Sequence, residues 1–235
     1  MAKIIDEKDL VVNNTRRVPT VLCIDTSSSM GWNGKLELLN EALVELYKEL
    51  RKDALTKYAV DIAIVEFNED VTKDGQFQSI RLGEVPQITK PEGQTHLAEA
   101  VDTALSMLER VKDRYKDEGV GYFQPWLVIL SDGRSEGEED DYIEQVSKRS
   151  SAAERANKLT VIPAFIGDPT DDDLAVFSKF SAVNKAQAFD ASKLTDFARW
   201  LSQSLSTVAH SDASNEPKIS FDDFREYIEA EENIG

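Results

Sequence analysis

The sequence is poor in the residues that zinc sites and disulfides require. Its 235 residues include one cysteine and two histidines. The single cysteine, Cys23, cannot form a disulfide within the chain, and its position in an apolar run predicts a buried thiol. Zinc sites use imidazole and thiolate ligands, so this composition argues against zinc. The scarcity of cysteine also favours a reducing, cytoplasmic environment.

Long apolar runs are lacking as well. No stretch approaches the roughly 18 to 20 uninterrupted apolar residues that a membrane-spanning helix needs. The N-terminal residues 1–10 carry neither the basic region nor the apolar region of a secretion signal. We therefore expect a soluble, cytoplasmic protein with no membrane partner.

Basic residues are outnumbered by acidic ones. The chain has 27 Lys and Arg against 44 Asp and Glu, which gives a formal net charge of −17. Nucleic acid is held mainly by clustered Lys and Arg, so we expect no nucleic-acid partner. Solubility alone explains most of the excess acid, and net charge identifies no site. Proteins and cations remain the expected partners.

Most of the sequence alternates short apolar runs with longer helical patterns, which is typical of parallel sheets with crossover helices. The predicted strands lie within residues 20–24, 58–67, 78–82, 126–130, 159–166 and 186–189. The predicted helices span residues 35–51, 97–116, 142–158, 171–180 and 192–208. This order predicts an α/β fold with a doubly wound, mostly parallel, Rossmann-like central sheet of about six strands and helices on both faces. The polar third strand suits a sheet edge.

The same pattern predicts three regions. Residues 1–17 are interpreted as an N-terminal arm, residues 18–208 as the main domain, and residues 209–235 as an acidic linker with a short amphipathic helix. Phe221 and Phe224 lie on the apolar side of that helix. The helix either packs on its own domain or serves as a docking peptide for a partner.

Acidic side chains follow two of the predicted strands. Asp25 opens an Asp-x-Ser-x-Ser pattern after the first strand, and Asp132 follows the most apolar strand. Loops at the carboxyl ends of parallel strands line the binding crevice, which is deepest where the strand order reverses. A right-handed crossover can make these two strands neighbours, and the two carboxylates would then face each other.

Two carboxylates that face each other need a shared proton, a basic partner or a cation. Neither motif core contains a basic residue, although Lys35 and Arg134 are nearby. The surrounding hydroxyl and carboxylate oxygens suit Mg²⁺, Mn²⁺ or Ca²⁺. The sequence therefore favours a hard divalent cation.

Three motifs in this order resemble the metal-ion-dependent adhesion site of von Willebrand factor A-type (VWA) domains. They are Asp-Thr-Ser-Ser-Ser-Met at residues 25–30, Gly-Gln-Thr at 93–95 before a helix, and Leu-Ser-Asp-Gly at 130–133 after a strand. Each motif lies at a predicted strand end or helix start, which makes the combination far more specific than a lone Asp-x-Ser-x-Ser. The resemblance covers about residues 18–208. Further segments are similar to bacterial tellurium-resistance-type (TerY-like) VWA proteins, namely residues 14–19, 65–68 and 197–204, with Trp126.

The resemblance implies a role for each matching residue. Ser27, Ser29 and Thr95 would offer hydroxyl oxygens to the ion, and Asp25 and Asp132 would offset its charge. Mg²⁺ or Mn²⁺ is the expected ion, and Ca²⁺ is less favoured. One coordination position would stay open for an Asp or Glu of a protein partner. The rim of the site would comprise Met30, Asn68, Gln94, His96, Gly133 and Arg134.

The resemblance also implies a function without catalysis. We expect a metal-dependent adaptor in a bacterial stress-response or defence system such as tellurium resistance, with kinase- or phosphatase-like proteins among its partners. Many family members have glycine where this chain has Ser28, a departure that affects the loop and no ligand.

Two other functions stay open at this point. An Asp at the end of a first strand is also where haloacid-dehalogenase-type phosphatases keep their nucleophile, which allows a Mg²⁺-dependent hydrolase. Those enzymes use Asp-x-Asp, whereas position 27 is Ser. The third possibility is a metal-free scaffold that acts through its acidic tail. Each site residue also has a purely structural interpretation, because serine and threonine cap helices and Asp-Gly forms turns.

Overall fold

A computed structural model describes residues 15–72, 75–89, 91–133, 135–212 and 215–232, so residues 1–14 of the predicted arm lie outside it. The strands in these ranges are β1 Val18–Asp25, β2 Val60–Phe67, β3 Gln78–Ser79, β4 Trp126–Ser131, β5 Thr160–Ile166 and β6 Gln187–Phe189. They form a six-stranded sheet in the order β3-β2-β1-β4-β5-β6. Neighbouring strands are parallel except β3, which runs antiparallel to β2 at one edge. The predicted fold class is confirmed.

The first strand lies inside the sheet, with β2 on one side and β4 on the other. Leu22 is paired with Ile64 of β2 and with Val128 of β4. After β1, the chain forms β2 and β3 on one side of that strand and then crosses over to form β4 on its other side. The strand order therefore reverses between β1 and β4. This arrangement confirms that the two apolar strands followed by acidic motifs are neighbours.

Helices cover both faces of the sheet. They are α1 Lys35–Lys52, α2 Thr56–Ala59, α3 Leu97–Asp117, α4 Asp140–Arg155, α5 Asp171–Ser178, α6 Leu194–Ala209 and α7 Asp222–Glu232. Single 3₁₀ turns occur at Ser28–Gly31 and Ala191–Lys193. None of the helices in the described ranges has both the length and the apolarity needed to cross a bilayer.

Local hydrogen bonds explain two of the places where these elements differ from the predicted ones. The second strand begins at Val60 rather than residue 58, because Asp53 accepts the backbone N–H of Thr56 at 2.7 Å and starts the short helix α2. The third strand ends at Ser79 rather than residue 82, because the Leu82 N–H bonds to the Ser79 carbonyl at 2.9 Å and forms a turn.

Alternate residues of β1 enter two separate apolar layers. Leu22 and Ile24 pack with α1, α6 and α7, whereas Val21 and Cys23 pack with α3 and α4 on the other face. Burying one such side chain stabilises the fold by roughly 1.5 to 3 kcal/mol. Burial also raises the pKa of the Cys23 thiol well above its usual range, which keeps this side chain an unreactive part of the core.

The C-terminal helix α7 packs on its own domain. Phe221 and Phe224 are buried beside α6 in the same apolar layer. Their ring centroids lie 5.6 Å and 5.4 Å from those of Trp200 and Phe197, respectively. The apolar side of the predicted extension therefore contributes to the core, and the boundary at residue 208 stays a prediction.

Candidate metal centre

The first side chain of the candidate centre is fixed at the end of β1. Asp25 is the last residue of that strand and is fully buried. Its Oδ1 accepts the backbone N–H of Ser27 at 2.7 Å, and its Oδ2 accepts the hydroxyl of Ser131 from β4. Burial raises the pKa of Asp25 to about 6, against the hydrogen bonds from Ser131 and Ser27, and the nearby charge of Asp132 adds to the rise. The charged form of Asp25 is therefore less favoured in this buried site than it is in water.

A row of oxygen atoms crosses from the β1 loop to the end of β4. The Oγ atoms of Ser27 and Ser29 are 3.1 Å apart, and the Ser29 hydroxyl donates to Asp132 Oδ1 at 2.6 Å. The 3₁₀ turn produces this spacing, since the N–H of Met30 bonds back to the Ser27 carbonyl. Ser27 makes no side-chain cap for that turn, so its hydroxyl is not used as a helix cap.

The second carboxylate is paired with a lysine. Lys35 Nζ lies 2.5 Å from Asp132 Oδ2. The Asp132 side chain is 1% exposed and that of Lys35 is 18% exposed, so this pair is largely shielded from water. Lys35 is the first residue of α1, which follows Gly34 in the left-handed region at φ +73°. The two oxygens of Asp132 thus accept from Ser29 and Lys35.

The loop before α3 places a third hydroxyl beside this pair. Thr95 is buried, and its carbonyl accepts the N–H of Glu136 at 2.8 Å. A Cβ on Gly133 would lie 3.4 Å from Thr95 Oγ1, so the hydroxyl faces the residue after Asp132. Thr95 does not cap the helix, because Glu138 accepts the N–H groups of the first turn of α3.

The residues predicted for the rim are only partly at the surface of the site. Met30 is buried in the apolar core, because the 3₁₀ turn directs its side chain inward, so its assignment to the rim was wrong. Asn68 accepts the N–H of Asp70 at 2.7 Å and closes the β2 turn. Gln94 and His96 flank Gly137, and the carbonyl of Asn68 accepts the His96 N–H. Arg134 lies outside the described residues.

Sequence reasoning missed two contacts that shape the site. Ser131 anchors Asp25, and Lys35 pairs with Asp132. Ser131 directly precedes Asp132 in the same motif, and this adjacency is the sequence signal for its role. Lys35 is near the first motif in sequence, but no local pattern pairs it with Asp132.

The donor set fits a hard divalent ion. Oxygen ligands around octahedral Mg²⁺ lie about 2.0 to 2.1 Å from the metal, which separates adjacent ligands by about 3 Å. The 3.1 Å between the Ser27 and Ser29 oxygens matches that spacing. Ser27, Ser29 and Thr95 would offer hydroxyl oxygens, and Asp25 and Asp132 would offset the charge of the ion.

An acidic cleft of about 490 Å³ opens beside Asp132 and Gly133. Its negative potential favours cations over free anions near the site. The other acidic side chains that line the cleft are Glu136, Asp168, Asp172 and Asp173.

An open, mostly parallel sheet with polar side chains gathered at its switch point defines a Rossmann-like α/β binding domain. Residues 20–203 match the family profile of the von Willebrand factor type A domain, and the chain belongs to this family. VWA domains mediate protein–protein interactions and commonly bind a divalent metal at the adhesion-site motif. Comparison with curated proteins gives no match.

Several solved structures share the fold at low sequence identity. A von Willebrand factor type A protein from Catenulispora acidiphila has a TM-score of 0.61 at 16% identity, over 82% of this chain and 43% of that one. The pilus adhesin SpaC from Lactobacillus rhamnosus GG has a TM-score of 0.63 at 12% identity, over 83% and 31%. Proximal thread matrix protein 1 from the mussel byssus, with a zinc-occupied adhesion-site motif, has 0.52 at 16% identity, over 83% and 49%. The chain spans less than half the length of these three.

Proposed function

We propose that this chain is a metal-dependent, protein-binding adaptor. A divalent cation is held by the five oxygen-bearing side chains of the candidate centre, and a partner protein supplies an Asp or Glu carboxylate to the ion. The observation that carries the proposal is the row of oxygens from Ser27 through Ser29 to Asp132, at 3.1 Å and 2.6 Å. It joins the loop after β1 to the end of β4 at the point where the strand order reverses.

The arrangement favours binding over catalysis. Three of the five side chains are neutral hydroxyls, so the ion keeps the capacity to accept an anionic ligand. Both oxygens of Asp25 and both oxygens of Asp132 already accept hydrogen bonds from the chain. In the proposed site both carboxylates would also be engaged in offsetting the charge of the ion, so neither would be left to act as a general base on a substrate.

Mg²⁺ or Mn²⁺ is the proposed ion, with Ca²⁺ less favoured. The ligand set contains only oxygens, and the 3.1 Å spacing between Ser27 and Ser29 suits a small ion. Zinc belongs in the same titration series, because it occupies the motif in the mussel byssus protein.

The biological setting proposed is a cytoplasmic bacterial stress-response or defence system such as tellurium resistance. The support is the similarity of residues 14–19, 65–68 and 197–204 to tellurium-resistance-type VWA proteins. Kinase- or phosphatase-like proteins of that system are the proposed partners. The cytoplasmic assignment is supported by the single, buried Cys23.

Removing both carboxylates tests the metal site. Mg²⁺ or Mn²⁺ at about 100 times its dissociation constant should stabilise the wild type by about 2.7 kcal/mol, since the ion binds the folded state alone. The double variant Asp25→Ala/Asp132→Ala should lose this response in thermal melts with the metal or with a chelator. The variant Asp113→Ala/Asp117→Ala, which removes two exposed acids from α3, is the charge-matched control and should keep it.

A full metal-induced shift in the Asp25→Ala/Asp132→Ala protein would show that the ion binds elsewhere. The hydrolase alternative is tested in parallel with phosphate esters and Mg²⁺. Multiple turnovers that disappear in Asp25→Ala would contradict the adaptor function.

A further inference from the structure

The ion pair between Lys35 and Asp132 differs from the surface ion pairs of this protein. In the pair Lys48–Glu45 on α1, the lysine side chain is 58% exposed, whereas Lys35 is 18% exposed and its partner 1%. Exposed pairs contribute little to stability because water screens them. A charge whose partner is nearly buried interacts much more strongly, and losing it leaves the partner uncompensated.

We propose that Lys35 is a resident counter-cation of the candidate metal centre, which stabilises the metal-free site and lowers its affinity for the divalent ion. This inference rests on the proposed metal-binding function. It assigns Lys35 a positioning and tuning role, and makes it neither a ligand nor a catalytic residue.

The formal charges show why the lysine acts in two directions. Without metal, the positive charge of Lys35 offsets one of the two carboxylates, Asp25 and Asp132. When a divalent ion binds, the ion, Lys35 and the two carboxylates together carry an excess of positive charge. A centre without the lysine would instead be neutral once loaded. Lys35 therefore opposes the ion and favours an additional anion at the loaded centre.

A partner carboxylate is such an anion, so Lys35 strengthens its binding to the loaded centre. The carboxylate offsets the excess positive charge and thereby favours ion binding. The ion favours carboxylate binding by the same factor, because coupling between two ligands is reciprocal. At an ion concentration too low to fill the centre by itself, the ion would bind when an acidic partner is present.

The position of Lys35 allows its pairing to be separated from its effect on the helix. Lys35 is the first residue of α1, where the helix dipole disfavours a cation. Replacing it with a neutral residue should therefore favour the helix itself. A loss of stability on replacement consequently reports the missing pair with Asp132.

The test compares Lys35→Met with Lys35→Arg, which keeps the charge, and with Lys48→Met, which removes an exposed lysine from the same helix. We expect Lys35→Met to melt at a lower temperature than wild type in chelator, and to bind Mn²⁺ about tenfold more tightly by calorimetry, the change expected when one unit charge is removed close to the ion. Lys35→Arg and Lys48→Met should resemble wild type. Lys35→Gln replaces Lys35→Met if that protein does not fold.

Sodium acetate tests the coupling, with sodium chloride of equal ionic strength as its control. Acetate should tighten Mn²⁺ binding to the wild type and tighten it less in Lys35→Met. The proposal is overturned if Lys35→Met binds Mn²⁺ no more tightly than wild type. The coupling is overturned if acetate leaves the wild type unchanged or acts equally on both proteins. Absence of Mn²⁺ binding in every protein would instead refute the metal-binding function.

Discussion

Two buried regions of the molecule are assembled by opposite means. The candidate metal centre gathers carboxylates and hydroxyls through directional hydrogen bonds, such as Ser29 to Asp132 at 2.6 Å. Elsewhere in the domain, an aromatic cluster packs ring against ring where α6 meets α7. Its members are Phe189, Phe197, Trp200, Phe221 and Phe224.

The comparison separates a region that stabilises the fold from the candidate site, which does not. Burying an aromatic ring is favourable, and pairs such as Phe189 and Phe224, with centroids 5.2 Å apart, add to that gain. Burying the Asp25 carboxylate is unfavourable, as its raised pKa indicates. The candidate centre is therefore costly to bury, and the aromatic cluster contributes stability that offsets this cost.

The largest effect is expected from the aromatic cluster. Phe224→Ala should lower the free energy of unfolding by about 3 to 5 kcal/mol, because it removes a buried ring and leaves a cavity. The affinity of the folded protein for Mn²⁺ should stay unchanged. Urea unfolding measures the first quantity and calorimetry the second, with the exposed Glu226→Ala on the same helix as control. A loss below about 1 kcal/mol would mean that α7 is only loosely attached and is free to dock elsewhere.

The next effect concerns pH in the absence of metal. The pKa of Asp25 is about 6 in the folded state, against an ordinary value of 3.8. Between these values the folded protein keeps a proton that the unfolded chain has released, so stability is lost as pH rises from about 4 to about 6. This group should contribute a fall of up to about 3 kcal/mol. The fall is measured as the difference between wild type and Asp25→Asn in chelator. Equal pH profiles for the two proteins would contradict the burial of a charged Asp25.

The smallest effect is expected at Ser28. Its side chain is exposed, and its hydroxyl donates to the Gly93 carbonyl at 3.3 Å. Ser28→Gly should change stability by less than about 0.5 kcal/mol, since it touches no ligand. The Mn²⁺-induced shift in melting temperature should be retained. Loss of that shift would indicate that the conformation of the loop, rather than its ligands alone, decides ion binding.

Much of the fold could be predicted because its signals are local. The continuous apolar run from Trp126 to Leu130 is buried in the sheet, and the strand that contains it ends at Ser131, directly before Asp132. Parallel strands place their carboxyl ends at one edge, so the proximity of Asp25 and Asp132 followed once their strands were neighbours. The buried apolar residues of α1 and α3 recur mainly at intervals of three and four, a spacing that is visible in the sequence.

The remaining features depend on contacts between distant residues. Met30 follows a ligand in sequence, which placed it at the rim, but the geometry of one short turn buries it. The pair between Lys35 and Asp132 joins residues 97 positions apart, and no periodicity indicates it. Phe221 and Phe224 have the spacing of an amphipathic helix, but the sequence does not show which surface their apolar side packs on. In the structure that surface is α6.

The long separation of the site residues has a consequence for folding. Ser29 and Asp132 are 103 positions apart, and Ser131 and Asp25 are 106 apart. Closing such a loop is entropically unfavourable, and contacts of this range form slowly. An ion that needs both halves of the site meets its full ligand set only after β1 and β4 have paired. The ion should therefore slow the unfolding of the finished domain. It should leave the rate of the initial collapse of the chain almost unchanged.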